Sequence, residues 1–374
     1  MRKRFITLFL LLTILLPRLF VSAEESGPVA MILYEPRTGA VLEALHPDEQ
    51  MLIASTTKIM TALVVLEHCR LHETVEVQPE QIEVEGSSAS LQPGEIYTVE
   101  ELLYGLMLAS GNDAACVLAE HAAGSIAAFS ELMNEKAESL GLENSHFVNP
   151  HGLNDPEHYS SARDLAILTA SAMENETFSR IFSTLNYTAH GIEYQNHNKL
   201  LESLEGCLGG KTGYTRAAGR TLVSCAERNG LRLICVTLND PDDWEDHRRY
   251  YENAFAAYEY LSFPAQEWKQ LPVISGNASD VSLYCDAAGA LVHRGARVKT
   301  DVSLPRFIFA PVPAEAVVGH VTVLENGRAV FDADILTAHS VARDEADGIL
   351  PWKRFRSLWS DRLAGAFRSH EIFA

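Results

Sequence analysis

The stretch ASTTKIMTA, residues 54–62, places a serine three positions before a lysine where an apolar helix is predicted to begin. Apolar residues recur at helical spacing from Ile59 to Leu66, without Gly or Pro. One interpretation makes Ser55 a helix cap and Lys58 a side chain that reaches solvent. The other makes them a nucleophile and its base, because side chains at i and i+3 share a helix face and burial favours a neutral amine that can accept the hydroxyl proton. The stretch alone leaves both interpretations open.

Two further short strings belong with this stretch. Ser110-Gly111-Asn112 lies in the short connection between two predicted helices, and Lys211-Thr212-Gly213 precedes a predicted strand. Each string is weak alone, and 275–277 repeats the first one in a region of predicted turns. However, Ser55 is the only serine followed by a lysine three residues later. The order S-x-x-K, S-x-N, K-T-G is the motif set of penicillin-binding proteins and class A β-lactamases.

Hydrophobic patterning predicts an α/β (α+β) fold. A β-hairpin pattern covers residues 29–45, helical patterns dominate from Ser55 to about Met173, and strands return after Lys211 as a hairpin with an Asn-Gly turn. Within the helical region, Thr98 and Glu101 form a capping-box pattern that predicts the start of a helix. The string 242–261 reads as one long helix. We therefore expect an antiparallel sheet that joins both ends of this region and is flanked by helices.

The chain is long enough for two domains, and the residue pattern changes near Pro264. Short β-runs between turns from about Leu271 to Ala338 predict a small all-β domain. The pattern of residues 350–373 predicts an amphipathic helix at a membrane surface, in which apolar residues form a stripe along one face and basic residues accompany it. The stripe is Trp352, Phe355, Trp359, Leu363 and Phe367, and the basic residues are Lys353, Arg354, Arg356, Arg362 and Arg368. A helix packed on its own domain is the rival interpretation of this stretch.

The first residues have the layout of a signal peptide, since a basic start precedes the apolar run 5–16 and small residues end at Ala23. The predicted segments are a signal peptide at 1–23, a catalytic domain at 24–263, a β-rich domain at 264–340 and a membrane-associating tail at 341–374. Removing residues 1–23 leaves 26 Lys and Arg against 50 Asp and Glu, a net charge of −24. A body this acidic is a poor partner for nucleic acid.

The six cysteines are scattered, with no C-x-x-C pair. Cys116, Cys225 and Cys235 lie in apolar surroundings and are interpreted as small buried hydrophobes. Export permits disulfides, but the sequence cannot pair them. No metal and no cofactor are expected.

From about Pro28 to Phe263 the chain resembles the low-molecular-weight penicillin-binding proteins, the serine-type D-alanyl-D-alanine carboxypeptidases of peptidase S11 type. Besides the three motifs, the strings LYEPRTGAVL, NPHGLNDPEHYSSARDLA and NHNKLL carry the resemblance. The β-rich domain and basic tail match the layout of membrane-associated members. The resemblance implies a DD-peptidase/β-lactamase-like fold, an exported enzyme on the outer face of the cytoplasmic membrane, peptidoglycan stem peptides as substrate and β-lactams as covalent inhibitors.

The resemblance also implies roles for individual residues. Ser55 would attack the carbonyl between two terminal D-alanines, with Lys58 as base. Ser110 would relay the proton to the leaving amine, and Asn112 would hold Lys58 or the substrate amide. The backbone N–H groups of Ser55 and Tyr214 would form the oxyanion hole. The substrate carboxylate would face a set on one strand: Lys211, Thr212 and Thr215, with Gly213 leaving room for substrate.

The sequence departs from the family pattern in places, and other functions compete with this prediction. His197 stands where many family members carry arginine, which puts the carboxylate contact in doubt, and His151 is assigned either to loop architecture or to the wall of the site. A β-lactamase is the nearest rival, although no E-x-x-L-N string for deacylation occurs. A carboxypeptidase with added endopeptidase or transpeptidase activity is a second rival, and a catalytically silent wall-binding scaffold is a third.

Overall fold

The computed structural model describes residues 27–262, 270–285 and 289–344. Its helices are α1 (Lys58–His68), α2 (Val99–Met107), α3 (Asn112–Ala123), α4 (Ile126–Ser139), α5 (Ala162–Met173), α6 (Glu176–Ser183), α7 (Leu200–Ser203) and α8 (Asp243–Ala257). The strands up to α8 are β1 (Ala30–Glu35), β2 (Ala40–Leu45), β3 (Thr74–Glu76), β4 (Ile96–Thr98), β5 (Asn186–Ala189), β6 (Ile192–Gln195), β7 (Cys207–Thr215), β8 (Gly219–Arg228) and β9 (Leu231–Leu238).

A five-stranded antiparallel sheet joins the two ends of this region in the order β2-β1-β9-β8-β7. Alternate residues of the central strands point to opposite faces. Ile32 and Ile234 pack into a core shared with the helices between β2 and β7, whereas Leu33 and Cys235 pack against α8. The predicted sheet flanked by helices is confirmed, and β7 is left at its edge.

Two local predictions in this region are also confirmed. Thr98 caps α2 in a capping box with Glu101, in which each side chain binds the other residue's backbone N–H. The β8–β9 hairpin turns at Asn229 and Gly230, both of which have positive φ. Asn-Gly suits that geometry because both residues tolerate the left-handed region.

The described residues after α8 form strands and the loops that connect them. Its strands are β10 (Tyr258–Ser262), β11 (Gln270–Ile274), β12 (Asp280–Cys285), β13 (Gly289–His293), β14 (Val298–Ser303), β15 (Ile308–Phe309), β16 (Val317–Glu325) and β17 (Arg328–Thr337). Six of them form a sheet in the order β14-β16-β17-β12-β11-β15 around a core that includes Val281, Val321 and Ile335. The β-rich C-terminal region is confirmed. The domain limits stay predictions.

The single helix predicted for residues 242–261 is wrong at its C-terminal end. The helix stops at Ala257, and Tyr258–Ser262 form β10, which pairs with β13. The helical pattern continues in the sequence, but the β10–β13 pairing satisfies the backbone groups of both segments, whereas a longer helix would leave Gly289–His293 without this partner strand. Pairing between distant strands overrides the local pattern here.

The signal peptide and the amphipathic tail lie outside the described residues, apart from 341–344 at the start of the tail. Among the described residues, no helix combines the length and the apolar character needed to cross a membrane.

Candidate active site

The predicted nucleophile lies in a tight turn that leads into α1. Residues Ala54–Thr57 form a 3₁₀ turn, and Ala54, immediately before Ser55, has a φ of +46°. A non-glycine residue in this region is strained, and such strain occurs often at functional sites. No side chain caps α1, and Thr57 occupies its N-cap position. The interpretation of Ser55 as a helix cap is therefore wrong.

Lys58 begins α1 with its side chain completely buried. Its Nζ lies 2.9 Å from Ser55 Oγ, 2.7 Å from Asn112 Oδ1 and 2.8 Å from the carbonyl oxygen of His151. The i, i+3 spacing thus brings serine and lysine into contact, as predicted. Asn112 is oriented by its own amide, which donates to the carbonyl oxygen of Glu85 at 2.6 Å.

The second motif and the third motif meet beside this group. Ser110 has a φ of +57° and lies in the connection between α2 and α3, which turns its hydroxyl toward β7. Lys211 Nζ donates to Ser110 Oγ at 3.0 Å and to the carbonyl oxygen of Thr212 at 2.9 Å. Both Ser110 and Lys211 are buried. A direct hydrogen bond therefore joins two motif residues that are 101 positions apart in the chain.

Burial sets the electrostatics of the two lysines. Desolvation, followed by repulsion from Lys211, lowers the pKa of Lys58 well below its usual range. Desolvation alone lowers the pKa of Lys211 to about 7. Low-dielectric surroundings disfavour each ammonium, and two adjacent ammonium groups disfavour each other. The arrangement can hold one lysine neutral as a base beside a second one that carries charge.

The edge strand β7 runs past the nucleophile. A Cβ added to Gly213 would lie 2.4 Å from Thr221 Oγ1 and 2.9 Å from the backbone nitrogen of Ser55. Any side chain at this position would therefore fill the space between β7 and Ser55. Tyr214, the next residue, has an exposed side chain. Thr215 Oγ1 donates to Asn154 Oδ1 and accepts from the backbone N–H of Ala218. Its hydroxyl is thus engaged in fixing the end of the strand.

An open cleft of about 440 Å³ lies beside the segment that carries Ser110 and Asn112. Its lining residues are Ser87–Ser90, Ala109, Ile192–Gln195 and His197. Burial and the nearby Lys211 lower the pKa of His197. His197 thus faces the site where many family members have arginine, as a neutral ring rather than a fixed cation. His151 contributes through its backbone carbonyl to Lys58, while its ring Nδ1 accepts from the N–H of Leu153.

Comparison with known proteins identifies the family to which the chain belongs. The family model described as D-alanyl-D-alanine carboxypeptidase, Peptidase S11, matches residues 20–242. The chain belongs to this family. The carboxypeptidase DacF of Bacillus subtilis is 30% identical over 323 residues, covering 81% of this chain and 83% of the relative. The carboxypeptidase DacC of Escherichia coli is 32% identical over 344 residues, covering 86% of each chain.

A solved structure supports the same assignment over most of the chain. Penicillin binding protein 5 from Haemophilus influenzae aligns with a TM-score of 0.76 and 29% identity, covering 85% of this chain and 98% of that chain. The predicted family, the α/β fold class and the assignment as a serine-type D-Ala-D-Ala carboxypeptidase of cell-wall synthesis are confirmed.

Some contacts of this carboxypeptidase site have no counterpart in the sequence prediction. The carbonyl oxygens of His151 and Glu85 bind Lys58 and Asn112, and no side-chain pattern encodes a backbone carbonyl. Asn154, which contacts Thr215, lies in the string NPHGLNDPEH. The family resemblance of that string was the available signal, but it does not indicate which of its residues make contacts.

Proposed function

We propose that this carboxypeptidase releases the terminal D-alanine of peptidoglycan stem peptides through an acyl-enzyme on Ser55. The observation that carries the proposal is the 2.9 Å contact between Ser55 Oγ and the buried amine of Lys58. A serine hydroxyl needs an adjacent base to become a nucleophile, and burial keeps this amine in its basic form.

The contacts of Lys58 fit a neutral amine. A neutral amine has two N–H donors and one lone pair. The carbonyl oxygen of His151 and Oδ1 of Asn112 can only accept, so they take the two N–H groups. The lone pair is left for the hydroxyl proton of Ser55. As Ser55 Oγ attacks the carbonyl carbon, that proton passes to Lys58 and the carbonyl oxygen becomes an oxyanion.

We assign the oxyanion hole to the backbone N–H groups of Ser55 and Tyr214. One donor of this kind typically contributes about 3 to 4 kcal/mol to barrier reduction. When the C–N bond breaks, the proton on Lys58 reaches the leaving amine through Ser110. Water then attacks the ester carbonyl and releases Ser55. Lys211 attracts the substrate carboxylate in its protonated form, and Thr212 and Thr215 complete the surroundings, Thr215 by holding the end of β7 through Asn154.

The same acylation step makes β-lactams covalent inhibitors, since they present a reactive amide to Ser55. We further propose export through residues 1–23 and a place on the outer face of the cytoplasmic membrane. The catalytic domain would span 24–263 and the β-rich domain 264–340, with the tail 341–374 on the membrane surface. The basis for these assignments is the sequence pattern.

Intact-mass spectrometry with penicillin tests the nucleophile, with Ser55→Ala beside the unmodified protein and Ser90→Ala as a control serine from the cleft lining. A D-alanine release assay on a peptide ending in D-Ala-D-Ala tests the reaction. We expect a stable adduct in the unmodified protein and in Ser90→Ala, none in Ser55→Ala, and release of D-alanine.

Different results would redirect the assignment. Rapid loss of the adduct as hydrolysed penicillin, without D-alanine release, would indicate a β-lactamase. Cleavage or formation of crosslinks between stem peptides would add endopeptidase or transpeptidase activity. Absence of any adduct would remove Ser55 as the nucleophile and favour a wall-binding scaffold.

A further inference from the structure

A cysteine, a glutamate and a histidine lie close together near the C-terminal ends of α1 and α3, remote from the catalytic residues at the N-terminal ends of these helices. Cys69 is the C-cap residue of α1, Glu73 lies immediately before β3, and His121 lies in the last turn of α3. One donor atom from each side chain lies within 4.8 Å of the other two. His121 Nε2 and Glu73 Oε2 are already 3.0 Å apart. The three residues converge from separate elements, and 48 positions separate Glu73 from His121.

Thiolate sulfur, imidazole nitrogen and carboxylate oxygen are the ligand types that Zn²⁺ uses in proteins. With metal–ligand distances of about 2.0 to 2.3 Å, tetrahedral coordination needs donor atoms roughly 3.3 to 3.8 Å apart. The observed cluster needs movements of about 1 Å or less to reach this spacing. We propose that Cys69, Glu73 and His121 bind one Zn²⁺ ion, with water as the fourth ligand.

The site is open to an ion from solvent. All three residues are partly exposed, with 25% of the His121 side chain and 39% of that of Glu73 accessible. Glu73 uses its second oxygen, Oε1, to accept from the backbone N–H of Arg70, which fixes the carboxylate. Binding requires the thiol of Cys69 to lose its proton to solvent and the ring of His121 to carry its proton on Nδ1. The ion then replaces the hydrogen bond between His121 and Glu73.

The position of the cluster gives the ion a structural consequence. Lys58 begins α1 and Asn112 begins α3, whereas Cys69 and His121 lie at the opposite ends of these two helices. A bound ion would tie the far ends of the helices that hold the base and its amide partner. Because an ion that binds only the folded state adds stability by mass action, the melting temperature should rise with zinc concentration.

Cobalt titration of the full chain provides the test, because Co²⁺ occupies zinc sites and is visible by absorbance. We expect one equivalent to produce a thiolate-to-cobalt charge-transfer band that Zn²⁺ abolishes by displacement. Cys69→Ser should lose the band, and His121→Gln should weaken Co²⁺ binding by at least about tenfold. The matched control is His293→Gln, because His293 also contacts a glutamate, Glu325, at 3.1 Å. It should leave the titration unchanged.

Penicillin acylation of each variant reports folding independently of the metal. If Cys69→Ser and His121→Gln acylate normally yet bind Co²⁺ as the unmodified chain does, the proposed site is wrong. Absence of a charge-transfer band in the unmodified, acylation-competent chain would overturn it equally. If one variant fails to fold, the other decides. Failure of the zinc site leaves Ser55 as nucleophile, and loss of acylation in the unmodified chain would contradict only the proposed function.

Discussion

Lys58 combines full burial with three short polar contacts, and this combination determines its role. Two of its partners can only accept a hydrogen bond, and the third is the hydroxyl of Ser55. An ammonium would have to donate its third proton to the nucleophile and would hold that hydroxyl unreactive. The low pKa of Lys58, due first to desolvation and then to Lys211, removes this obstacle.

Replacing Lys58 by arginine should therefore reduce the rate of acylation by about 10² to 10⁴-fold, because guanidinium stays protonated. In the unmodified protein, acylation should decline on the acid side with a slope of about one decade per pH unit once the pH falls below the lowered pKa of Lys58. Stopped-flow or quench-flow acylation by penicillin across pH measures both. The control Lys136→Arg alters a lysine that pairs with Glu67, away from the site. Near-normal acylation by a folded Lys58→Arg variant would contradict a neutral lysine base.

The turn before α1 depends on a buried chain of hydrogen bonds. Thr57 Oγ1 donates to the carbonyl oxygen of Ala54 at 2.8 Å and lies 2.8 Å from His158 Nε2. His158 Nδ1 accepts from the backbone N–H of Val148, so its proton is on Nε2 and is donated to Thr57. Burial lowers the pKa of His158 to about 4, consistent with a neutral ring. This chain supports the left-handed backbone next to Ser55.

Thr57→Val should lower the free energy of unfolding by about 1 to 3 kcal/mol, because it leaves the His158 N–H unsatisfied in the interior. It should also slow acylation, since the Ala54 carbonyl loses its partner. The control is Thr169→Val, which removes a buried hydroxyl that donates to Leu165 in α5. Urea unfolding and penicillin acylation measure the two effects. If both variants lose stability but neither loses acylation rate, the hydrogen-bond chain does not position the nucleophile.

Sequence patterns predict elements best where the reason for the element is local. The Thr98 capping box and the Asn229-Gly230 turn are decided by a few adjacent residues, and both are confirmed. The end of α8 is decided by β13, about 30 residues later, so periodicity extends that helix too far. The carbonyl contacts of Lys58 and Asn112 have no side-chain signature at all. The motif order can therefore select the polar residues, but not the backbone groups that hold them.

At the scale of the whole molecule, the sheet brings the motifs together. Strand β1 pairs with β9 and carries β2 at its other edge, and β8 joins β9 to β7. On β7, Lys211 lies within hydrogen-bond distance of Ser110. Family resemblance predicts that the three motifs lie together, whereas spacing alone cannot, because 54 positions separate Lys58 from Asn112 and 101 separate Ser110 from Lys211. The zinc proposal has the same origin: Cys69 and His121 form no metal motif in the sequence and become neighbours only through helix packing.

The distribution of charge along the chain leads to a prediction about the membrane. The region before the tail is strongly acidic, yet five basic residues accompany the apolar stripe that includes Trp352 and Trp359. Basic residues near an anionic surface are worth roughly 1 kcal/mol each, and the aromatic side chains suit the headgroup layer. The chain without its signal peptide should therefore co-sediment with vesicles that contain phosphatidylglycerol, and less so at high salt.

A chain ending at Asp344 should stay in the supernatant while retaining penicillin acylation, because the described catalytic contacts all precede that residue. Trp352→Ala with Trp359→Ala should weaken vesicle binding, whereas Trp244→Ala, which alters a tryptophan on α8 outside the tail, should not. Binding that is equal for the full and shortened chains would place the membrane contact elsewhere. Binding that is absent for both would favour a tail packed on its own domain, since its apolar stripe would then be covered by protein rather than lipid.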